Sequence, residues 1–280
     1  MNTLISTTIL GFFCACSSQS PGGFGGTGNG STTDSGNTDS GTGNGLPSAD
    51  TVWEVPDRGF DLLASNGLLY ASTQAGGAIW SYDPSTGVED KLAWDLGDLQ
   101  AIAMDNDEIL AAFTDSHVEG WVATIEPPKG VEVIASATED GVLFRRPAGL
   151  AYGDSGEVYV LDTKAEFIWK ISSAGVASIF YEIGGVAIFF FDGALYLGGD
   201  QGVFEVDRGG AVLLDERPAY GLEVVSGNLV ASNTSNFVFY VGGEQLATGD
   251  LGRPGAMANL NGTLYIMDTV TGDVSAVDFN

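Results

Sequence analysis

The sequence predicts an all-β fold, a six-bladed β-propeller, and two observations support that prediction. One unit of four short strands is clear between Phe144 and Phe180, and weaker copies recur at steps of about 34 to 49 residues, the size of one propeller blade. The last copy lacks a fourth strand, whereas an unassigned strand precedes the first copy. We therefore expect this N-terminal strand to complete the last blade and close the ring.

The clearest unit begins with an apolar run, Ala148 to Tyr152, followed by a turn rich in Gly, Asp and Ser. The second strand, Glu157 to Leu161, is β-branched and aromatic, which is typical of strands. Phe167 to Ser172 and Val176 to Phe180 supply the third and fourth strands. Four antiparallel strands of this length make one blade.

The turn before the second strand aligns the six copies. The aligned segments are Asn66 to Thr73, Asn106 to Phe113, Ser155 to Asp162, Asp192 to Gly199, Ser226 to Asn233 and Asn261 to Asp268. The spare strand is Thr51 to Val55, and the chain stops at Asn280, directly after the third strand of the last copy. Trp80 and Trp169 share one third-strand position, which favours core packing between blades.

The segment RRPAGLAYGDSGEVYVLDTKAEFIWKIS, Arg145 to Ser172, resembles an NHL-type propeller repeat. Met267 to Asp278, MDTVTGDVSAVD, similarly resembles the related YVTN repeats. The resemblance extends roughly over residues 51–280 and implies the propeller fold. It implies no particular function, because a propeller's function depends on the site that its loops and channel carry.

The chain is strongly acidic, with 10 Lys and Arg against 37 Asp and Glu and a net charge of −27. Such a charge disfavours nucleic acid and anionic lipid surfaces as partners. The acidity is typical of a soluble domain, or of adaptation to a salty or divalent-rich exterior, and we expect no nucleic-acid partner.

The N-terminal segment, Met1 to Ala15, is apolar, lacks acidic residues and ends at Cys16. It resembles a bacterial lipoprotein signal, in which Cys16 becomes the acylated first residue of the mature chain. Cys14 fits this pattern less well because Phe13 precedes it, and the segment departs from the pattern by lacking Lys and Arg. An ordinary cleaved signal or a poorly ordered tail is the alternative. The apolar run is too short for a membrane-spanning helix.

A low-complexity stretch rich in Gly, Ser, Thr and Asn follows, from Ser17 to Asp50, and predicts a disordered tether. Ser17 after Cys16 resembles the sorting pattern of outer-membrane lipoproteins. The predicted organisation is a lipoprotein signal over residues 1–15, the lipidated Cys and linker over 16–50, and the propeller over 51–280. The protein is then exported and anchored by lipid to the bacterial cell envelope, in the outer membrane.

Arginines recur in the loop that enters the first strand of each blade. They are Arg58, Arg146, Arg217 and Arg253. In a propeller these loops surround the channel mouth, and guanidinium groups bind carboxylates or phosphates. This set predicts an anion-binding mouth. The alternative is that each Arg pairs with an acidic neighbour and orders its own loop.

A second set of polar residues ends the second strands: Asp162, Asn233 and Asp268, with Thr73 at the equivalent position and Asp115 and Asp200 nearby. Converging oxygens of this kind can bind Ca²⁺. The alternative is that each side chain caps its own turn or ties adjacent blades together.

Propellers of the gluconolactonase and paraoxonase kind hold Ca²⁺ with Glu, Asn and Asp, and the resemblance to them is partial. Tyr220-Gly221-Leu222 stands where Asn-Gly-Leu is expected, and the first blade offers Asp61 in place of Glu. His117 lies between Asp115 and Glu119 and can serve as a general base. No nucleophile or metal motif accompanies it, which favours a solvated loop histidine.

The sequence thus predicts a non-catalytic binding or interaction module whose ligand, a small anion or a protein partner, binds at the channel face. The alternative is a Ca²⁺-dependent hydrolase of the lactonase type. A third possibility is a structural envelope protein without a small-molecule site.

Overall fold

The computed structural model describes residues 49–278 except 75, 106, 115–119, 129, 137–143, 234–236 and 249–250. These residues form 24 strands in six four-stranded antiparallel sheets. The predicted signal, residues 16–48 of the predicted linker, and the predicted loop residues Asp115, His117 and Glu119 lie outside the described residues. Asp50, the last residue of the predicted linker, instead begins the first strand. Within the described ranges, no helix is long and apolar enough to cross a membrane.

The strands follow one another blade by blade. The first strand is β1 (Asp50–Glu54). Blade 1 consists of β2 (Gly59–Ser65), β3 (Leu68–Thr73), β4 (Ala78–Asp83) and β5 (Val88–Ala93), and blade 2 of β6 (Leu99–Asp105), β7 (Glu108–Thr114), β8 (Gly120–Glu126) and β9 (Gly130–Ser136). Blade 3 consists of β10 (Pro147–Tyr152), β11 (Val158–Asp162), β12 (Phe167–Ile171) and β13 (Ala177–Glu182). Blade 4 consists of β14 (Ala187–Phe191), β15 (Ala194–Gly199), β16 (Gly202–Asp207) and β17 (Gly210–Asp215), and blade 5 of β18 (Gly221–Val225), β19 (Asn228–Asn233), β20 (Phe237–Tyr240) and β21 (Gln245–Thr248). Blade 6 contains β22 (Pro254–Leu260), β23 (Thr263–Asp268) and β24 (Asp273–Asp278).

The N-terminal strand closes the ring, as the sequence predicts. β1 pairs antiparallel with β24, so the sixth sheet has the order β1-β24-β23-β22. Trp53 in β1 is 4% exposed and stacks on Tyr82 of the first blade, with ring centroids 5.1 Å apart. The first blade is thereby packed against a sheet that contains both ends of the propeller.

Tight turns set the register of the inner hairpins. Two residues connect the first and second strands in four blades, and both have positive φ: Asn66-Gly67, Asp192-Gly193, Ser226-Gly227 and Asn261-Gly262. Two consecutive residues with positive φ define the turn whose twist matches an antiparallel hairpin, which explains the Asn, Asp and Gly at these sites. In these four blades, the turns used to align the repeats are therefore the turns that form.

The described residues form six hydrophobic core clusters, each built from two neighbouring blades. Phe144, which precedes β10 of blade 3, and Leu110 of blade 2 belong, for example, to the same cluster. Trp80 and Trp169 pack against two of these clusters, which confirms their predicted place in the core. Each blade buries both faces against its neighbours, so the ring stabilises every sheet.

The outermost strand of every blade carries a register shift against its neighbour. Such bulges twist an edge strand and interrupt its hydrogen-bonding row. The six outer edges are therefore poor templates for pairing with another chain.

Candidate functional site

A channel of about 560 Å³ runs between the innermost strands of the six blades, β2, β6, β10, β14, β18 and β22. Each of these strands contacts the next one around the ring, and β22 contacts β2. Since all six run in the same direction within equivalent blades, the pairing registers assign each channel residue to a level along the axis.

The first level is a ring of residues at the start of the inner strands, here called the mouth ring. In β2, β6 and β10 a bulge lies at this level, and it leaves Phe60, Gln100 and Ala148 outside the regular pairing. A bulge re-aims a side chain, and all three residues line the channel. The complete mouth ring is Phe60, Gln100, Ala148, Val186, Tyr220 and Gly255.

An aliphatic belt lies two residues further along every inner strand. It comprises Leu62, Ile102, Leu150, Ile188, Leu222 and Met257. None of the six is more than 9% exposed. The belt separates the polar groups of the channel into a set on the mouth side and a set on the far side.

Gln100, in the mouth ring, has a buried side-chain oxygen without a hydrogen-bond partner. The side chain is 1% exposed, and its Nε2 donates a hydrogen bond of 3.0 Å to Asp98 Oδ1. This bond fixes the orientation of the amide, so Oε1 is the free atom, and it has no hydrogen-bond partner. A buried acceptor without a partner is unusual in a folded protein and marks a place for a donor.

Asp61 lies between the mouth ring and the belt and joins blades 1 and 2. Its Oδ1 accepts the backbone N–H of Leu62 at 2.9 Å, and its Oδ2 accepts that of Ile102, also at 2.9 Å. Desolvation raises the pKa of Asp61 from 3.8 to about 6, although these two hydrogen bonds oppose the change. The carboxyl group is therefore half-ionised at about pH 6 and mostly ionised at neutral pH.

Glu223 repeats this arrangement between blades 5 and 6. It accepts the backbone N–H of Val224 at 2.8 Å and that of Asn259 at 3.2 Å. Desolvation raises its pKa from 4.5 to about 7. Glu223 follows the belt, whereas Asp61 precedes it, so the two levels differ by two residues, or about 7 Å along a strand.

The channel wall carries no positive charge among the described residues: no Lys, Arg or His lines it. Neither Asp61 nor Glu223 forms an ion pair within the described part of the chain. The channel therefore presents hydrogen-bond acceptors and negative charge between apolar walls.

The four predicted arginines do not line the channel. Arg217 pairs with Asp215 at 2.5 Å and lies 4.0 Å from the ring centroid of Phe239. Hydrogen bonding from Arg217 lowers the pKa of Asp215 to about 2. Arg58 Nε donates to the Thr269 carbonyl oxygen at 2.9 Å, at the channel rim. The side chains of Arg146 and Arg253 are exposed.

The predicted oxygen-bearing residues bind the backbone of the arginine loops instead of converging on one point. Asp162 is fully buried and accepts the backbone N–H groups of Arg145, Arg146, Lys164 and Ala165.

The same arrangement recurs in the last two blades. Asp268 accepts the N–H of Arg253 at 3.1 Å, and Asn233 Nδ2 donates to the Pro218 carbonyl at 2.8 Å. Thr73 Oγ1 bonds the Ala78 backbone, and Asp200 accepts the Tyr220 hydroxyl. The described residues contain no group of three His, Cys, Asp or Glu able to hold a metal ion.

Sequence reasoning did not single out Gln100 or Glu223, and it weighed Asp61 only as a partial match to another family. The available signal was an isolated polar residue in an otherwise apolar first strand, as in LQAIAM and GLEVV. That signal becomes informative only once the first strands are known to surround a channel.

Comparisons with known proteins agree with the propeller assignment. Residues 144–171 match the NHL repeat. No curated protein matches the chain in sequence.

Solved structures share the fold at low sequence identity. A putative gluconolactonase is 14% identical over 83% of this chain and 92% of its own, with a TM-score of 0.67. The PQQ-bound aldose sugar dehydrogenase of Streptomyces coelicolor is 14% identical over 81% and 95%, with a TM-score of 0.64. A luciferin-regenerating enzyme is 13% identical over 83% and 95%, also with a TM-score of 0.64. The chain is thus a six-bladed β-propeller that contains an NHL repeat.

Proposed function

We propose that this protein is a binding module of the bacterial cell envelope, anchored to the outer membrane through an acylated Cys16, whose propeller binds a small molecule in its channel. The observation that supports the binding function best is the channel-lining residue Gln100, whose buried Oε1 has no hydrogen-bond partner. A channel of about 560 Å³ with apolar walls and a few fixed polar groups has the size and character of a small-molecule site.

The module is proposed to be non-catalytic because the two acidic residues of the channel, Asp61 and Glu223, already bind the backbone of the inner strands. Each oxygen of Asp61 and Glu223 accepts a backbone N–H, and in both residues one of these donors belongs to the next blade. Such a carboxylate holds two inner strands together, and moving it to serve a reaction would break that contact.

A thermal-shift screen tests channel binding. The purified chain is melted with a library of small polar molecules, alongside the Gln100→Met variant. A ligand at a hundredfold excess over its dissociation constant stabilises the folded state by about 2.7 kcal/mol. We expect hits that shift the native chain and not Gln100→Met. The matched control is Gln245→Met, an exposed position of the outer strand β21. Hits that shift all three proteins equally would contradict channel binding.

Anchoring is tested separately by fractionating cells that express the native chain or Cys16→Ala. We expect the native chain in the membrane fraction and the variant in the soluble fraction. An equal distribution of the native chain and the variant between the two fractions would contradict the lipid anchor and would leave the proposal of channel binding unaffected.

A Ca²⁺-dependent hydrolase is the second candidate, favoured by the shared fold with the putative gluconolactonase. The residues predicted to bind Ca²⁺ do not fit that role, because Asp162 already accepts four backbone N–H groups and Asp268 accepts three. Ca²⁺ takes six to eight oxygen ligands. We therefore expect the same melting temperature in Ca²⁺ and in EDTA, and a clear rise in Ca²⁺ would support the hydrolase.

A further inference from the structure

We infer that the ligand of the channel is a small organic cation, a primary ammonium group on an apolar body, held at the mouth by Gln100 Oε1 and the Asp61 carboxylate. This inference rests on the proposed function, since it assumes that the ligand occupies the channel. It goes further by naming the chemical class of the ligand and the two groups that recognise it.

Asp61 and Gln100 lie along one seam between blades 1 and 2. Asp61 Oδ2 accepts the N–H of Ile102, which is two residues from Gln100 in β6. Both residues line the channel on the mouth side of the aliphatic belt. The two acceptors therefore belong to the same side of the channel wall.

The polar groups at this seam accept hydrogen bonds. The amide nitrogen of Gln100 is already used by Asp98, which leaves the oxygen, and the Asp61 oxygens accept backbone N–H groups. An ammonium group has three donors and no acceptor, which suits such a set. A ligand carboxylate or phosphate would supply only further acceptors.

The charge of the protein and of the channel wall also favours a cationic ligand. The protein has a net charge of −27, and no Lys, Arg or His is among the described residues that line the channel. A carboxylate in a low-dielectric wall is stabilised by an opposite charge and repelled by a like one. A ligand cation supplies the charge that the described wall lacks.

Two aromatic residues of the mouth ring add to this recognition. Phe60 and Tyr220 line the channel at the level of Gln100, and the Tyr220 hydroxyl is held by Asp200. The face of an aromatic ring attracts a cation within about 6 Å of its centroid. The belt of Leu62, Ile102 and their equivalents offers an apolar surface to the rest of the ligand.

An organic cation fits better than a metal ion. The described residues hold no group of three His, Cys, Asp or Glu, and one carboxylate with one amide oxygen falls short of the six to eight oxygens that Ca²⁺ takes. Two acceptors and aromatic neighbours suffice for one ammonium group.

The test uses three probes of similar shape and different charge: benzylamine, benzyl alcohol and benzoate. Binding of each to the purified chain is measured by isothermal titration calorimetry at pH 7.5. We expect benzylamine to bind at least about tenfold more tightly than either counterpart, because a hydrogen bond to a charged group contributes roughly 1.5–3 kcal/mol.

Variants then locate the site. Gln100→Met and Asp61→Asn should each weaken benzylamine binding about tenfold, whereas the matched controls Gln245→Met and Glu205→Gln, both exposed, should leave it unchanged. A melt of each variant verifies folding.

Several outcomes would overturn the inference. Benzoate or benzyl alcohol binding as tightly as benzylamine, with loss in Gln100→Met, would refute the cation and leave channel binding intact. Benzylamine binding that is unchanged in both Gln100→Met and Asp61→Asn would place the amine elsewhere. No binding of benzylamine would also overturn the inference, while the library screen decides channel binding independently.

Discussion

Glu223 should make the stability of the propeller depend on pH, and the dependence can be isolated by removing its charge. In the folded state the pKa of Glu223 is about 7, raised by desolvation from 4.5. The folded protein therefore binds this proton more tightly than the unfolded chain does. The contribution to stability is fully present below about pH 4.5, falls as pH rises, and is lost above about pH 7.

The size of this effect follows from the two pKa values. Each pH unit between 4.5 and 7 is worth about 1.36 kcal/mol, so the folded state loses at most about 3.4 kcal/mol relative to the unfolded state. Water in the channel screens part of this cost, because Glu223 borders the channel.

The Glu223→Gln variant removes the titration and keeps the shape. Its amide oxygen can accept one of the two N–H groups, from Val224 or Asn259, and its NH₂ group cannot accept the other. This mismatch lowers the stability of the variant by roughly 1–3 kcal/mol at every pH. The informative quantity is therefore the difference in the free energy of unfolding between the variant and the native protein, and how that difference changes with pH.

Urea denaturation between pH 4 and pH 8 measures that change. We expect the free energy of unfolding of Glu223→Gln, relative to the native chain, to rise by about 2–3 kcal/mol over this range. Glu205→Gln, an exposed control, should show no such rise. A difference that stays flat with pH for Glu223→Gln would refute the desolvation argument.

Three further predictions concern stability and are measured in the same way. Gly221→Ala should lower the free energy of unfolding by about 3 kcal/mol, because an added Cβ would lie 1.9 Å from the Gly255 carbonyl oxygen on the next inner strand; a neutral effect would contradict that close approach. Asp162→Ala should cost about 3 kcal/mol or more, since it leaves four backbone N–H groups without their acceptor. Trp53→Ala should cost about 3–5 kcal/mol by loosening the closing strand, and a loss below about 1 kcal/mol would mean that β1 contributes little to closure.

The recurring arginines and the polar residues that end the second strands were both visible in the sequence, but the sequence did not determine their role. Asp162 and Asp268 recur because the same turn must be held in each blade, and their carboxylates bind the backbone of the preceding arginine loop. The recurrence was visible in the sequence, and both a ligand site and a structural cap were compatible with it. The hydrogen-bond geometry supports the cap.

The sequence by itself determined the architecture. Strands, two-residue turns and the missing last strand are local signals, because a hairpin depends on neighbours within about ten residues. Repeating that signal six times predicts six sheets, and the spare strand before β2 predicts how the ring closes.

Only the tertiary structure decided which polar residues meet in the channel. Asp61 reaches Ile102 across 41 positions and Glu223 reaches Asn259 across 36, and both contacts exist only after neighbouring blades pack together. The bulge at Gln100 shifts a pairing register by one residue, which alternation along a strand does not reveal. The fold follows from short-range patterns, whereas the site is assembled from strands spread over the whole propeller.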